Sequence, residues 1–145
     1  MRGVELSGLA AAVADVRPVS VATEKLKKDP TTGRIEGLGA IELEATRDIL
    51  AELGAARRTG QTIVGFAAET SNLVANAQSK LARKGVDLIV ANDVSAPGVG
   101  FQHDTNAVTL LAADGEVTHV ALTDKQRIAS AVLDEVIRLR GLRNA

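Results

Sequence analysis

Between Thr62 and Ser95 the chain reads strand, polar turn, amphipathic helix, glycine, strand. That order joins two strands through a helical crossover, which is how parallel strands are connected. Thr62–Ala67 is β-branched and aromatic, as a buried strand requires. Thr70, Ser71 and Asn72 offer hydroxyl and amide groups that cap a helix start. Val74, Ala77 and Leu81 recur on one helical stripe, and Gly85 stands where a helix needs a C′ residue. Asp87–Ala91 is then a short apolar run suited to a buried parallel strand. The helix between carries Lys80 and Lys84, four residues apart on one face.

The flanks extend this pattern. Leu9–Ala14 reads as a small-residue buried strand that opens into a loop at Asp15, because Pro18 holds Arg17 extended. Val21–Gly33 is a polar basic loop holding Lys25, Lys27 and Lys28. Ile35–Leu43 reads as a strand, and Thr46-Arg47-Asp48 starts a helix through Arg57. Ser95–His103 is a Gly/Pro loop. Ala107–Leu122 is a hairpin about a two-residue Asp114-Gly115 turn. Thr123 and Gln126 have capping-box spacing, opening a last helix to about Arg140 with Ile128, Val132, Val136 and Leu139 on its inner stripe and Gly141 ending it. The whole is an α/β chain in one domain, a Rossmann-like three-layer sandwich with a mostly parallel sheet plus a β-hairpin.

Bulk properties narrow the chemistry. The chain has 145 residues and no cysteine, which excludes disulfides, thiolate metal sites and cysteine nucleophiles. A net charge of −1 supplies no field for nucleic acid or anionic lipid, so neither is an expected partner. No signal peptide or long apolar run is present, so a cytoplasmic, membrane-free protein is expected. With two Phe and no Trp or Tyr, the core rests on Ala, Val, Leu and Ile.

Phosphate-loop, nucleotide-fingerprint and serine-elbow motifs are absent, and His103 and His119 lack ligand spacing. What remains is positional. Asp15 is either a ligand contact at a strand end or a turn aspartate. The lysine run is either a polyphosphate clamp or a solvated loop. Phe66 and Phe101 either stack on a base or fill the core. The residues alone therefore describe an α/β domain with lysines near strand ends, suited to an anionic ligand.

Six blocks occur in one order: AAAVADVRP (Ala10–Pro18), EKLKK (Glu24–Lys28), GFAAET (Gly65–Thr70), the Lys80/Lys84/Asp87 triplet, VANDVS (Val90–Ser95) and GFQHDTN (Gly100–Asn106). Together they resemble bacterial phosphopantothenate–cysteine ligase, the synthetase part of the bifunctional coenzyme A biosynthesis protein. The resemblance implies a ligase that joins cysteine to 4′-phosphopantothenate through an acyl-cytidylate made from CTP, with Mg2+ assisting. It implies a homodimer with Ile35–Leu43 as the self-association surface. FMN would belong only to a flavin-dependent decarboxylase part, itself a possible partner.

By the same resemblance, the backbone of Leu9, Ala10 and Ala11 and the Asp15 side chain contact the nucleotide. Lys25 is the catalytic lysine on the triphosphate. Arg47, Asp48, Ile49 and Leu50 form a helix-start segment, Phe66 packs on the nucleoside, and Lys80 and Lys84 complete the nucleotide site. No metal ligand is implied. Two departures stand out. Thr46-Arg47-Asp48 replaces the family's Asn-Pro-Asp, and the family's glycine-rich strand–turn–helix has no counterpart before Ala10. The chain is therefore expected to be the C-terminal part of the synthetase domain, lacking its N-terminal βα units. The alternative is a non-catalytic nucleotide-binding or dimerisation fragment of that enzyme.

Overall fold

A computed structural model describes residues 14–35, 40–69, 71–93 and 104–143. The chain divides into two units, 1–48 and 49–145.

In the first unit, Val16–Pro18 (β1) pairs antiparallel with Leu43–Ala45 (β2), with Val16 opposite Ala45 and Pro18 opposite Leu43. Further out, Lys28 bridges Ile35. The turn between them is built by Asp29, whose carboxylate accepts the backbone N–H groups of Thr31 (2.7 Å) and Thr32 (2.9 Å). These two bonds hold the Asp29 carboxyl below the usual carboxylate range. Gly33 closes the turn at φ 70°, a conformation glycine adopts without penalty. Of the expected strand at Ile35–Leu43, Ile35 makes the bridge, residues 40–42 are not strand and Leu43 begins β2, while residues 36–39 lie outside the described residues. No described residue of this unit is buried. Val19, Val21 and Ile41 face solvent, so this two-stranded arm has no core of its own.

The second unit holds the core. Ile49–Ala55 (α1) is followed by Val64–Glu69 (β3), Leu73–Lys84 (α2), Leu88–Asp93 (β4), Thr105–Ala112 (β5), Val117–Asp124 (β6) and Lys125–Arg143 (α3). The sheet order is β3-β4-β5-β6. The βαβ unit forms as expected, with β3 and β4 parallel and Val64 opposite Leu88. The expected hairpin then joins the same sheet, so β4–β5 and β5–β6 are antiparallel and the described sheet is mixed.

Each face of the sheet has its own cluster. Ala67, Ile89, Ala91 and Leu111 pack with Ala77 of α2, alongside Leu50, Leu73 and Leu81. Leu88, Val90, Val108 and Leu110 pack with Ile128 and Leu139 of α3, alongside Val132 and Val136. Helix, sheet, helix is the three-layer α/β arrangement expected from the pattern. Small side chains set the close approaches. A Cβ on Gly65 would lie 2.5 Å from Leu50 Cδ2 and 2.9 Å from Ile89 Cδ1, so the Leu50 side chain packs over β3 in space that the glycine leaves open.

Three local expectations shift. Ala112 N–H bonds the Glu116 carbonyl (2.9 Å) and Gly115 N–H bonds the Ala112 carbonyl (3.0 Å). The hairpin loop is thus three residues with Gly115 at φ 93°, not the two-residue turn expected. A two-residue type I′ turn would need positive φ at Asp114 as well. The last helix is capped one residue later than expected: Asp124, the last residue of β6, accepts the Arg127 N–H on its Oδ1 at 2.9 Å. That helix also runs past Gly141 to Arg143.

Candidate nucleotide site at the carboxyl end of β3

In a doubly wound sheet, ligands sit beyond the carboxyl ends of the parallel strands. Here that edge is Glu69 of β3, opposite Asp93 of β4, and the chain turns from it into α2. Asn72 occupies the cap position of α2 with φ 48° and ψ 39°, and its side chain makes no capping bond. Left-handed backbone at a non-glycine residue is strained, and asparagine tolerates it best. The expected capping by Thr70, Ser71 and Asn72 therefore reduces to Asn72 in position; Thr70 lies outside the described residues.

Glu69 organises this corner. It is buried, and its two carboxylate oxygens are taken by side chains of α2. Oε1 accepts Lys80 Nζ at 2.6 Å and Oε2 accepts Asn76 Nδ2 at 3.0 Å. Asn76 Nδ2 also reaches the Ser71 carbonyl at 3.0 Å. The Lys80 hydrogen bond is the main force holding the Glu69 carboxyl below its usual range, against the desolvation of burial. The Lys80 ammonium is anchored, and the Lys80 side chain as a whole keeps 37% exposure.

The other expected site residues are distributed as follows. Lys84 is the last residue of α2, one turn or about 6 Å beyond Lys80 and so further from the strand-end edge, and is half-buried. Phe66 alternates with buried Gly65, Ala67 and Glu69, so it points to the sheet face opposite α2 and is 73% exposed. Phe66 and Lys80 thus flank β3 from opposite faces. Ile49 and Leu50 open α1, and Leu50 spends its side chain in the core against β3. At seven residues, α1 is a short carrier of a helix dipole. Arg47, Asp48, Asp15 and Lys25 belong to the first unit and are all exposed. Asp15 contributes its carbonyl to the Thr46 N–H at 2.9 Å. Leu9, Ala10 and Ala11 lie outside the described residues.

Glu69 and Asn76 were not singled out by the sequence reading. The signal was there: Glu69 is the one ionisable residue of an otherwise apolar strand, and Asn76 precedes Lys80 by one helical turn. A groove of about 270 Å³ beside Leu73 is lined by Ala91, Ala107 and Ala121, with Thr109 Oγ1 and His119 Nδ1 3.0 Å apart. Among the described residues no group of three His, Asp or Glu side chains could hold a metal ion. Nor is any described helix long and apolar enough to cross a membrane.

Comparison with known proteins identifies the family and the fold. The family model for the DNA/pantothenate metabolism flavoprotein C-terminal domain matches residues 3–139. The bifunctional coenzyme A biosynthesis protein CoaBC of Bacillus subtilis is 43% identical over 129 residues, covering 89% of this chain and 30% of that protein. A cysteine/cysteine sulfinic acid decarboxylase from an unknown prokaryote is 37% identical over 138 residues, covering 95% of this chain and 37% of that protein. The chain thus spans about a third of the length of the curated relatives it matches. A crystal structure of the C-terminal domain of CoaBC superposes with TM-score 0.63 at 35% identity, covering 93% of this chain and 53% of that one. By the extent of the family match and the shared fold, the chain belongs to the DNA/pantothenate metabolism flavoprotein C-terminal domain family.

Proposed function

We propose that the chain serves coenzyme A biosynthesis as the nucleotide-binding part of a CTP-dependent phosphopantothenate–cysteine ligase. The observation that carries this reading is the Lys80 ammonium, held 2.6 Å from a buried Glu69 at the carboxyl end of a parallel strand. An anchored and exposed cation at that edge suits a phosphate.

In the proposed reaction, a carboxylate oxygen of 4′-phosphopantothenate attacks the α-phosphorus of CTP. The bond to the β-phosphate oxygen breaks and pyrophosphate leaves. The cysteine amine then attacks the acyl carbon of the acyl-cytidylate, the acyl–oxygen bond breaks, CMP leaves and the amine proton is lost. Negative charge gathers on the phosphates in the first step, so cations in fixed places stabilise it. Lys80 and Lys84 serve the nucleotide from α2. The family resemblance assigns Lys25 to the triphosphate, the Asp15 side chain, Leu9–Ala11 backbone and Arg47–Leu50 segment to further nucleotide contacts, and Phe66 to the nucleoside. Mg2+ would travel with the CTP phosphates.

A homodimer through the arm suits the absence of a core there. Val19, Val21, Ile41 and Leu43 are exposed on it, and pairing with a second copy would cover them. A cytoplasmic setting fits the proposed substrates. Incubation with CTP, magnesium, 4′-phosphopantothenate and cysteine tests the reading: CMP and pyrophosphate should appear in equal amounts. CTP binding without either product would instead make the chain a non-catalytic nucleotide-binding module.

A further inference from the structure

Burying a carboxylate costs several kcal/mol of desolvation, and β3 has an alternative. Gly65 and Ala67, on the same face, show that small apolar side chains pack there. A buried ion pair is weak evidence for stability. Glu69 therefore calls for a reason other than packing. Its geometry suggests one. The two oxygens grip two α2 side chains one turn apart, Asn76 at 3.0 Å and Lys80 at 2.6 Å. Asn76 is itself tied to the Ser71 carbonyl, so the grip is fixed to the backbone of the β3–α2 turn. A lysine ammonium has three donors. Glu69 takes one and partial exposure leaves the others accessible.

We propose that Glu69 is a positioning residue for the nucleotide: it holds the Lys80 ammonium at the carboxyl end of β3, so that an incoming phosphate meets a cation already in place. The inference rests on the nucleotide-binding reading above and extends it to a residue that touches no ligand. The carboxylate screens part of the Lys80 charge, and what it returns is a fixed direction for a side chain with four rotatable bonds.

Calorimetric titration of the full chain with CTP tests it. Lys80→Ala should weaken binding about tenfold, and Glu69→Ala should weaken it to the same level. The double variant should bind no more weakly than Lys80→Ala alone, because Glu69 acts only through that ammonium. Glu69→Gln keeps the shape and one oxygen for Lys80, and should lose about threefold. Should Glu69→Ala not fold, the cycle of Glu69→Gln with Lys80→Ala decides by the same rule. Wild-type affinity, or tighter binding, in both Glu69 variants would overturn the proposal, as would additive losses with Lys80→Ala. If Lys80→Ala binds CTP like the wild type, or the wild type does not bind it, the nucleotide assignment of Lys80 falls, and this proposal with it.

Discussion

Gly54 of α1 lies against the carbonyl oxygen of Lys84, the last residue of α2. A Cβ at position 54 would overlap that oxygen, and the obstacle is backbone rather than a flexible side chain. The helix carrying Leu50 and the helix carrying Lys80 and Lys84 are thus in contact through a bare glycine.

Gly54→Ala should therefore destabilise the fold, although alanine favours helices elsewhere. Overpacking against rigid backbone costs about 3 kcal/mol, far more than the helix propensity gained. Chemical denaturation should show a lower midpoint, and Gly54→Ser a drop at least as large. An unchanged midpoint would mean that α1 and α2 separate freely.

A second tie lies beside the first, at the end of the strands opposite Glu69. The buried Asp87 carboxylate accepts Arg57 Nη1 at 2.8 Å and the Ile63 N–H at 2.8 Å, while Arg57 Nη2 also binds the Gly85 carbonyl. These bonds fasten the α1–β3 loop to the start of β4. Asp87→Ala strands a partly buried guanidinium and a backbone donor, and should cost about 3 kcal/mol. Thermal unfolding measures the loss. Because the tie is far from Glu69, CTP affinity of the folded variant should stay near wild type.

The hairpin turn makes a pH-dependent contact with α3. Arg138 Nη1 lies 2.7 Å from Asp114 Oδ2 and 3.1 Å from Glu116 Oε2, and Arg138 Nη2 lies 2.6 Å from Glu135 Oε1. The Arg138 bond, then the Glu116 N–H, holds the Asp114 carboxyl below its usual range. In the unfolded chain that carboxyl titrates near pH 4. Its contribution to stability is complete above that value and is lost as pH falls through the lower folded value. Arg138→Gln should lower the unfolding midpoint at neutral pH, and the two curves should converge in acid as pH falls through the lowered folded value. A difference that persists unchanged in acid would show that Arg138 acts through packing alone.

Phe66 is a large aromatic with 73% exposure in a chain that has only two. It adds little to the core, so Phe66→Ala should leave the thermal midpoint within about 2 °C. The same change should weaken CTP binding several-fold if the ring packs on the nucleoside. Calorimetry and thermal unfolding on one preparation separate the two effects.

The core of the fold was legible because its signals are local and periodic. The β3–α2–β4 unit, Gly85 in left-handed conformation at φ 61° and the Ile128/Val132/Val136/Leu139 stripe all follow from spacing. What spacing misjudged was decided by partners distant in sequence. β6 runs through Thr123 to Asp124, both paired with β5, so the cap falls to Asp124, and the Asp114 side chain is taken by Arg138, 24 residues on. The site divides similarly. Lys80 and Lys84 were visible as a helical pair; Glu69 stands out in its strand by charge, but its partners Asn76 and Lys80 emerge only when strand and helix are folded together. Phe66 was identified by type, while its face depends on strand parity beside buried Ala67.

The order of the two chemical steps provides the most direct test. With CTP, magnesium and 4′-phosphopantothenate but no cysteine, the chain should release pyrophosphate up to one equivalent and no CMP. Adding cysteine should then release CMP and the amide product, and Lys25→Gln should slow the pyrophosphate step while leaving the unfolding midpoint unchanged. A chain that binds CTP but releases no pyrophosphate with all substrates present would contradict the account.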